Sequence, residues 1–280
     1  VNLSELWSLY EYDKRIEGYS KHTLKAYQIQ TNLLVRHFGE KDVEEITFVD
    51  LKQYLAKDAD RLKPSSLGHR VRYIRSLFKW AHSEGYIPSN PSHKLKEPKQ
   101  GKRVPKFIME EDLEVLRESC KGAREKALIS LLYSTGCRIG EVHLMDKQHI
   151  NWDNKSIIVL GKGDKEREVY FDTKTNLWLR EYLNQRDDEI PSLFITERNP
   201  KKRSSIAQLR YTVKRIAKRS NVNVNIYPHR FRHSYCTHLM DRGAPLEVIS
   251  NLAGHAKIET TRIYAQLSGE KRRELYRKYF

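Results

Sequence analysis

The sequence predicts a mainly α-helical protein of two domains, with one small antiparallel β-sheet in the C-terminal domain. Three observations carry this expectation. At 280 residues the chain exceeds the usual size of one core and accommodates a domain of about 100 residues and another of about 170. Apolar residues recur at three- and four-residue spacing over most of its length. The β-favouring runs are confined to residues 148–171.

Helical periodicity begins near Leu3, Ser20, Thr47 and Ser65 with no convincing alternating strand, so residues 1–98 read as a helical domain. Ser20 suits the cap of the second helix, whose Leu24, Tyr27, Leu34 and Phe38 form an apolar stripe ending at Gly39. Pro64, Ser65 and Ser66 open the fourth, with Leu67, Val71, Ile74 and Phe78 facing inward. The same helix carries Arg72, Arg75 and Lys79 on one face. Such a stripe suits either DNA phosphates or plain solvation.

Residues 99–106, KQGKRVPK, read as a basic linker because Gly101 and Pro105 discourage a helix. Residues 107–280 form the second domain. There, residues 109–119 and 123–134 read as helices, the first with Glu110, Glu111 and Asp112 well placed at its N-terminus. A further helix is expected to start at Thr135 or Gly136. The runs SIIVL and REVYF, separated by GKGDKE, read as paired antiparallel strands. Helix returns from Leu177 through Leu183, then over residues 205–220, after Pro228, from Pro245 and from Gly269.

Lys plus Arg number 52 against 36 for Asp plus Glu, a net of +16. That balance attracts polyanions, and nucleic acid is the first partner it implies. The nets are +3 over residues 1–98, +4 over 99–106 and +9 over 107–280, so the linker is the most concentrated basic segment. Lys102 and Arg103 in it are candidate DNA contacts. No run of 18 apolar residues and no signal-peptide core occur, which argues against membrane insertion and secretion. Cys120, Cys137 and Cys236 form neither a disulfide framework nor a CxxC motif and suit free thiols in a reducing compartment. The start at Val1 rather than Met leaves room for a preceding segment.

Four short segments carry the chemistry: TGCRIGEV (135–142), GKGDKER (161–167), PHRFRHSYCTH (228–238) and LAGHAKIETTRIY (252–264). Arg138 lies in an apolar stretch and needs a partner, which Glu141 can supply. Lys162 sits between two glycines at a hairpin tip. His229 and Arg232 are three apart after Pro228, so one phosphate can meet both. His255 follows Gly254, and Tyr264 lies nine residues on. His229, His233 and His238 also invite a zinc reading, but no HExxH is present, no cysteine is suitably placed, and Arg232 would set a cation beside the metal. Each segment alone is weak, and any single tyrosine among 16 is ordinarily a packing residue. Together they supply a nucleophile, a cationic clamp and proton donors, which is what metal-free phosphoryl transfer requires.

These segments, in this order, resemble the catalytic signature of the tyrosine recombinases, or phage integrase family. Arg138 resembles the first catalytic arginine of a T-G-x-R-x-x-E motif and Glu141 its acidic support. Lys162 resembles the hairpin lysine, with Lys165 nearby as a second candidate. His229 and Arg232 resemble the H-x-x-R pair, His255 the residue that is His or Trp, and Tyr264 the nucleophile. Gly140, Ala253 and Gln266 depart from the commonest residues without removing a catalytic group.

The resemblance implies a two-domain, C-shaped clamp around duplex DNA, with no metal and no cofactor. Tyr264 would attack the scissile phosphate, giving a 3′-phosphotyrosine and a free 5′-hydroxyl. Arg138, Arg232 and His255 would hold the nonbridging oxygens, Lys162 would protonate the leaving oxygen, and His229 would act as base. It further implies a homotetramer on two recombination sites and a cytoplasmic, nucleoid-associated enzyme. The charged segment GEKRRELYRKYF is expected to dock on a neighbouring subunit. No arm-binding domain precedes the helical one, which favours resolution of DNA dimers or transposon cointegrates over integration or excision of a mobile element. A type IB topoisomerase and a non-catalytic DNA-binding regulator are the competing classes.

Overall fold

A computed structural model describes residues 1–99, 101, 106–161, 166–255, 258–262 and 276–277. The chain divides into two compact units, Val1–Lys102 and Arg103–Phe280, and the division falls inside the basic KQGKRVPK segment.

The first unit holds α1 (Leu3–Ile16), α2 (Lys21–Phe38), α3 (Phe48–Ala56) and α4 (Pro64–Ser83). Side chains set the starts. Asn2 Oδ1 accepts from the Glu5 backbone N–H at 2.9 Å while Glu5 reaches back to the Asn2 N–H at 3.0 Å. Ser20 Oγ accepts from the Thr23 N–H, and α2 stops at Gly39, whose φ is +63°. The core gathers Leu6, Tyr10, Leu34, Leu51, Ile74, Leu77 and Phe78. Its polar tips are paired, since Tyr10 Oη meets Ser76 Oγ at 2.7 Å and the Trp80 indole donates to Asp13 at 2.7 Å. On α4 the helical period separates buried Val71, Ile74, Leu77 and Phe78 from exposed Arg72, Arg75 and Lys79.

The second unit holds α5 (Glu110–Glu118), α6 (Gly122–Thr135), α7 (Ile139–Leu144), β1 (Ile150–Asn151), β2 (Ser156–Leu160), β3 (Glu166–Tyr170), α8 (Thr173–Asn184), α9 (Ile206–Ser220), α10 (Pro228–Asp241), α11 (Leu246–Ala253) and α12 (Glu259–Arg262). Every residue from Ala127 to Leu132 is buried. A run buried on every side belongs in the middle of its domain, and α6 packs against α8, α9 and α10. The strands form one antiparallel sheet in the order β1-β2-β3, with Ile157 opposite Val169 and Val159 opposite Arg167. Cys120, Cys137 and Cys236 are buried free thiols.

Three departures from the sequence reading have physical reasons. The helix start expected at Thr135 or Gly136 is instead the end of α6, because Gly136 adopts the left-handed conformation at φ +60°. A Cβ there would lie 2.4 Å from the Tyr235 ring, so the turn also needs the missing side chain. Strand β1 went unanticipated because two residues are too short to show alternation. Helix α8 begins four residues before Leu177, where Asp172 Oδ1 caps the Thr175 N–H at 2.7 Å. The helix expected from Gly269 lies outside the described residues, apart from Tyr276 and Arg277.

Candidate active site

The candidate site starts where the buried central helix stops. After the turn at Gly136, Cys137 is buried and Arg138 takes an extended conformation as the residue preceding α7. Glu141, in the first turn of α7, accepts the Arg138 backbone N–H at 2.7 Å on Oε2 and Arg138 Nη1 at 2.8 Å on Oε1. Glu141 is only 6% exposed, and its remaining capacity is filled by Arg167 of β3, whose Nη1 and Nη2 each donate at 2.9 Å. Burial alone would raise the Glu141 carboxyl, but the hydrogen bonds and charges of Arg167 and Arg138 outweigh it and hold the group below its ordinary range.

Helix α10 opens on Pro228 and aligns His229 with Arg232 one turn later. Arg232 is 3% exposed; its Nη1 donates to the Gly136 carbonyl at 3.0 Å, while its Nη2 is buried with no hydrogen-bond partner among the described residues. A buried guanidinium nitrogen with unused donors is costly unless an anion arrives to meet it. Arg230, two residues earlier, is also buried with Nε and Nη1 unpartnered, and its guanidinium lies over the Tyr227 ring at 5.4 Å.

Helix α11 ends at Gly254, with φ +64°, and its C-terminal carbonyls are bound from outside: Arg138 Nη2 donates to Gly254 at 3.1 Å and Arg167 Nε to Leu252 at 3.2 Å. This sets the next residue, His255, whose backbone N–H returns to Ser250 and whose Nδ1 pairs with Thr261 Oγ1 at 2.7 Å. Burial, then the charges of Arg232, Arg138 and Arg167, push the His255 imidazole down to about 4. Partial desolvation, followed by Arg232, Arg138 and Arg210, lowers His229 as well. Both imidazoles are therefore neutral at pH 7.

The structure thus brings Arg138, Glu141, His229, Arg232 and His255 to the end of α6. Lys162, Lys165 and Tyr264 lie outside the described residues, as do Lys102 and Arg103. His238 of the weighed zinc trio is engaged elsewhere, its Nδ1 meeting the Tyr133 hydroxyl at 2.7 Å. Arg72, exposed on α4, is held by Glu97 and by His69 Nδ1 at 3.1 Å. Sequence reasoning missed Arg167 although a signal was there: alternation along β3 puts it on the same face as buried Val169, an unusual place for an unpaired cation.

Around Arg138 and Arg232, one carboxylate, two imidazoles held below their ordinary range and more guanidinium than carboxylate charge lie together. A mainly helical domain with one small antiparallel sheet surrounds this cluster. The second unit matches the phage integrase family over residues 102–271, and the first matches the phage integrase N-terminal SAM-like domain over residues 8–85. A tyrosine recombinase XerC from Leptospira interrogans is 33% identical over 282 residues, covering 95% of this chain and 90% of the relative. A tyrosine recombinase XerD from Ralstonia nicotianae is 30% identical, covering 94% and 89%. Among solved structures, XerH site-specific recombinase bound to a palindromic difH substrate superposes with a TM-score of 0.78 at 21% identity, covering 94% of this chain and 81% of that one. The Tn1549 transposon integrase with transposon right end DNA reaches 0.79 at 17% identity, covering 100% and 99%. The structural likenesses speak for the fold. The chain belongs to the phage integrase family and is a tyrosine recombinase of the Xer type, an enzyme of site-specific DNA recombination through a covalent tyrosine intermediate.

Proposed function

We propose that Tyr264 is the nucleophile and that Arg138, Arg232 and His255 bind the nonbridging oxygens of the scissile phosphate. The Nη2 of buried Arg232 beside Arg138 carries this reading, because its donors meet no acceptor among the described residues, in a cluster with excess positive charge. His229, lowered and so neutral at pH 7, takes the phenol proton as Tyr264 Oη bonds to phosphorus. The P–O5′ bond breaks, Lys162 protonates the leaving oxygen, and a 3′-phosphotyrosine remains. One phosphodiester replaces another, so no energy-supplying cofactor enters. For His255 to donate to the phosphate through Nε2, the Thr261 hydroxyl must donate to Nδ1. Glu141 orients Arg138.

Arg72, Arg75 and Lys79 on the first unit, with Lys102 and Arg103, contact DNA phosphates in this proposal. The residue types and exposure of the α4 stripe support it. The working assembly is a homotetramer on two duplex sites, with the C-terminal segment docking on a neighbouring subunit. The reaction is resolution of DNA dimers or transposon cointegrates in the cytoplasm, at the nucleoid, in keeping with the XerC and XerD names of the relatives.

The test is trapping on nicked genomic fragments. The wild-type protein is expected to form covalent complexes whose sequencing reveals the site, and Tyr264→Phe to bind that site with no covalent product. Adducts formed by Tyr264→Phe would remove Tyr264 from its role.

A further inference from the structure

Arg167 has no part in the chemistry proposed for Tyr264, yet its whole guanidinium is engaged with the framework of the site. Its side chain is 14% exposed. Nη1 and Nη2 meet the two oxygens of Glu141, both at 2.9 Å, and Nε meets the Leu252 carbonyl at 3.2 Å. These are three donors of one planar group, and they join β3 to α7 and to the end of α11. Arg138 makes a parallel pair of contacts, to Glu141 and to the Gly254 carbonyl. The two arginines therefore share one carboxylate and one helix terminus.

Gly254 shows how tightly this is assembled. A Cβ on it would lie 2.9 Å from both Cζ and Nε of Arg167, so the guanidinium lies against the backbone that leads directly into His255.

We infer that Arg167 is a positioning residue for strand cleavage: it fixes Glu141, and through it the Arg138 guanidinium, and it anchors the Leu252–Gly254 backbone from which His255 projects. Planarity is essential to this role. A lysine in its place keeps the charge but offers one nitrogen, which cannot bind both Glu141 oxygens and the Leu252 carbonyl in the same geometry. Without Arg167, Glu141 is held from one side alone, by Arg138, and the Arg138 guanidinium loses its fixed direction relative to the phosphate. Misplacement of a clamp by about 1 Å lowers a rate by on the order of 100-fold.

The inference rests on the proposed role of Arg138, so the experiment carries variants that separate the two. Single-turnover cleavage is measured on a nicked duplex bearing a site recovered by trapping, for wild type, Arg138→Ala, Arg167→Lys and Arg167→Ala, with DNA affinity measured in parallel. Arg167→Lys is expected to bind within about threefold of wild type and to cleave on the order of 100-fold more slowly. In Arg167→Ala, added guanidinium ion is expected to restore part of the rate, a response that a misfolded domain would not give. The defect is also expected to persist on a substrate whose 5′-bridging oxygen is sulfur. That leaving group needs no proton, so a clamp defect remains and a leaving-group defect vanishes.

Wild-type cleavage by Arg138→Ala would remove the clamp reading itself. If Arg138→Ala is inactive and Arg167→Lys cleaves normally, the positioning role is overturned. Disappearance of the Arg167→Lys defect on the sulfur substrate, or no rescue of folded Arg167→Ala by guanidinium, overturns it also.

Discussion

Glu125 on α6 and Glu141 on α7 are both buried, at 1% and 6% exposure, and each accepts hydrogen bonds from two arginines. Around Glu125 the partners are Arg215 and Arg219, and Arg215 Nη2 is shared with Glu197, which also pairs with Arg124. Two carboxylates thus face three arginines. Arg215 Nε lacks a partner, but its terminal nitrogen is taken by both acids. Around Glu141 one carboxylate serves Arg138 and Arg167, and no ion pair among the described residues includes Arg232. Both clusters hold the fold together, and the second also carries an unspent positive charge beside lowered imidazoles. What separates the two is pairing: each arginine of the first meets a carboxylate, whereas Arg232 of the second meets none among the described residues.

The largest effect should come from removing the unspent charge. Arg232→Ala is expected to slow single-turnover cleavage by about 100- to 1,000-fold, the usual consequence of losing one donor to a developing oxyanion. Arg219→Ala, from the other cluster, should leave the rate of the folded enzyme within about twofold. Equal losses in both would break the comparison.

A smaller effect sharpens it from the stability side. Glu125→Gln leaves the partly buried Arg219 without its carboxylate and Arg215 with Glu197 alone, and should lower the unfolding free energy on the order of 3 kcal/mol in denaturant titration. Its cleavage rate below the transition should stay near wild type, and a large rate loss in the folded protein would tie Glu125 to the chemistry.

The smallest effect is a displacement in pH. His229 is lowered from 6.5, so the acid limb of cleavage, where the base becomes protonated, should fall below pH 6.5. Arg210 contributes to that lowering by disfavouring the imidazolium. Removing its charge in Arg210→Ala raises the His229 value, so the limb should move toward neutral pH. A shift in the opposite direction, or an acid limb unaffected by His229→Gln, would take His229 out of the base role.

The helices of the first unit were legible because their starts carry a capping side chain or, in α4, a proline, and their stripes follow a single period, as in α2 between Ser20 and Gly39. The second unit was legible where apolar runs were long, and least so near the site. Gly136 looked like part of a helix start because the sequence says that a glycine can turn, and only Tyr235, packed 99 residues further on, says that it must. The candidate catalytic segments stood out as clusters of residue types, whereas Arg167 resembled one more charge in a polar hairpin.

The sequence by itself determined the class of fold, a basic charge suited to a polyanionic partner, and the candidate side chains for phosphoryl transfer. Periodicity, net charge and residue chemistry are local or summed properties, readable one segment at a time. Tertiary structure alone decided that Glu141 is shared by Arg138 and Arg167, that Arg232 is buried with a donor to spare, and that Arg138 and Arg167 hold the end of α11 before His255. Those facts depend on burial and on contacts between segments as far as 116 residues apart, which no local pattern encodes.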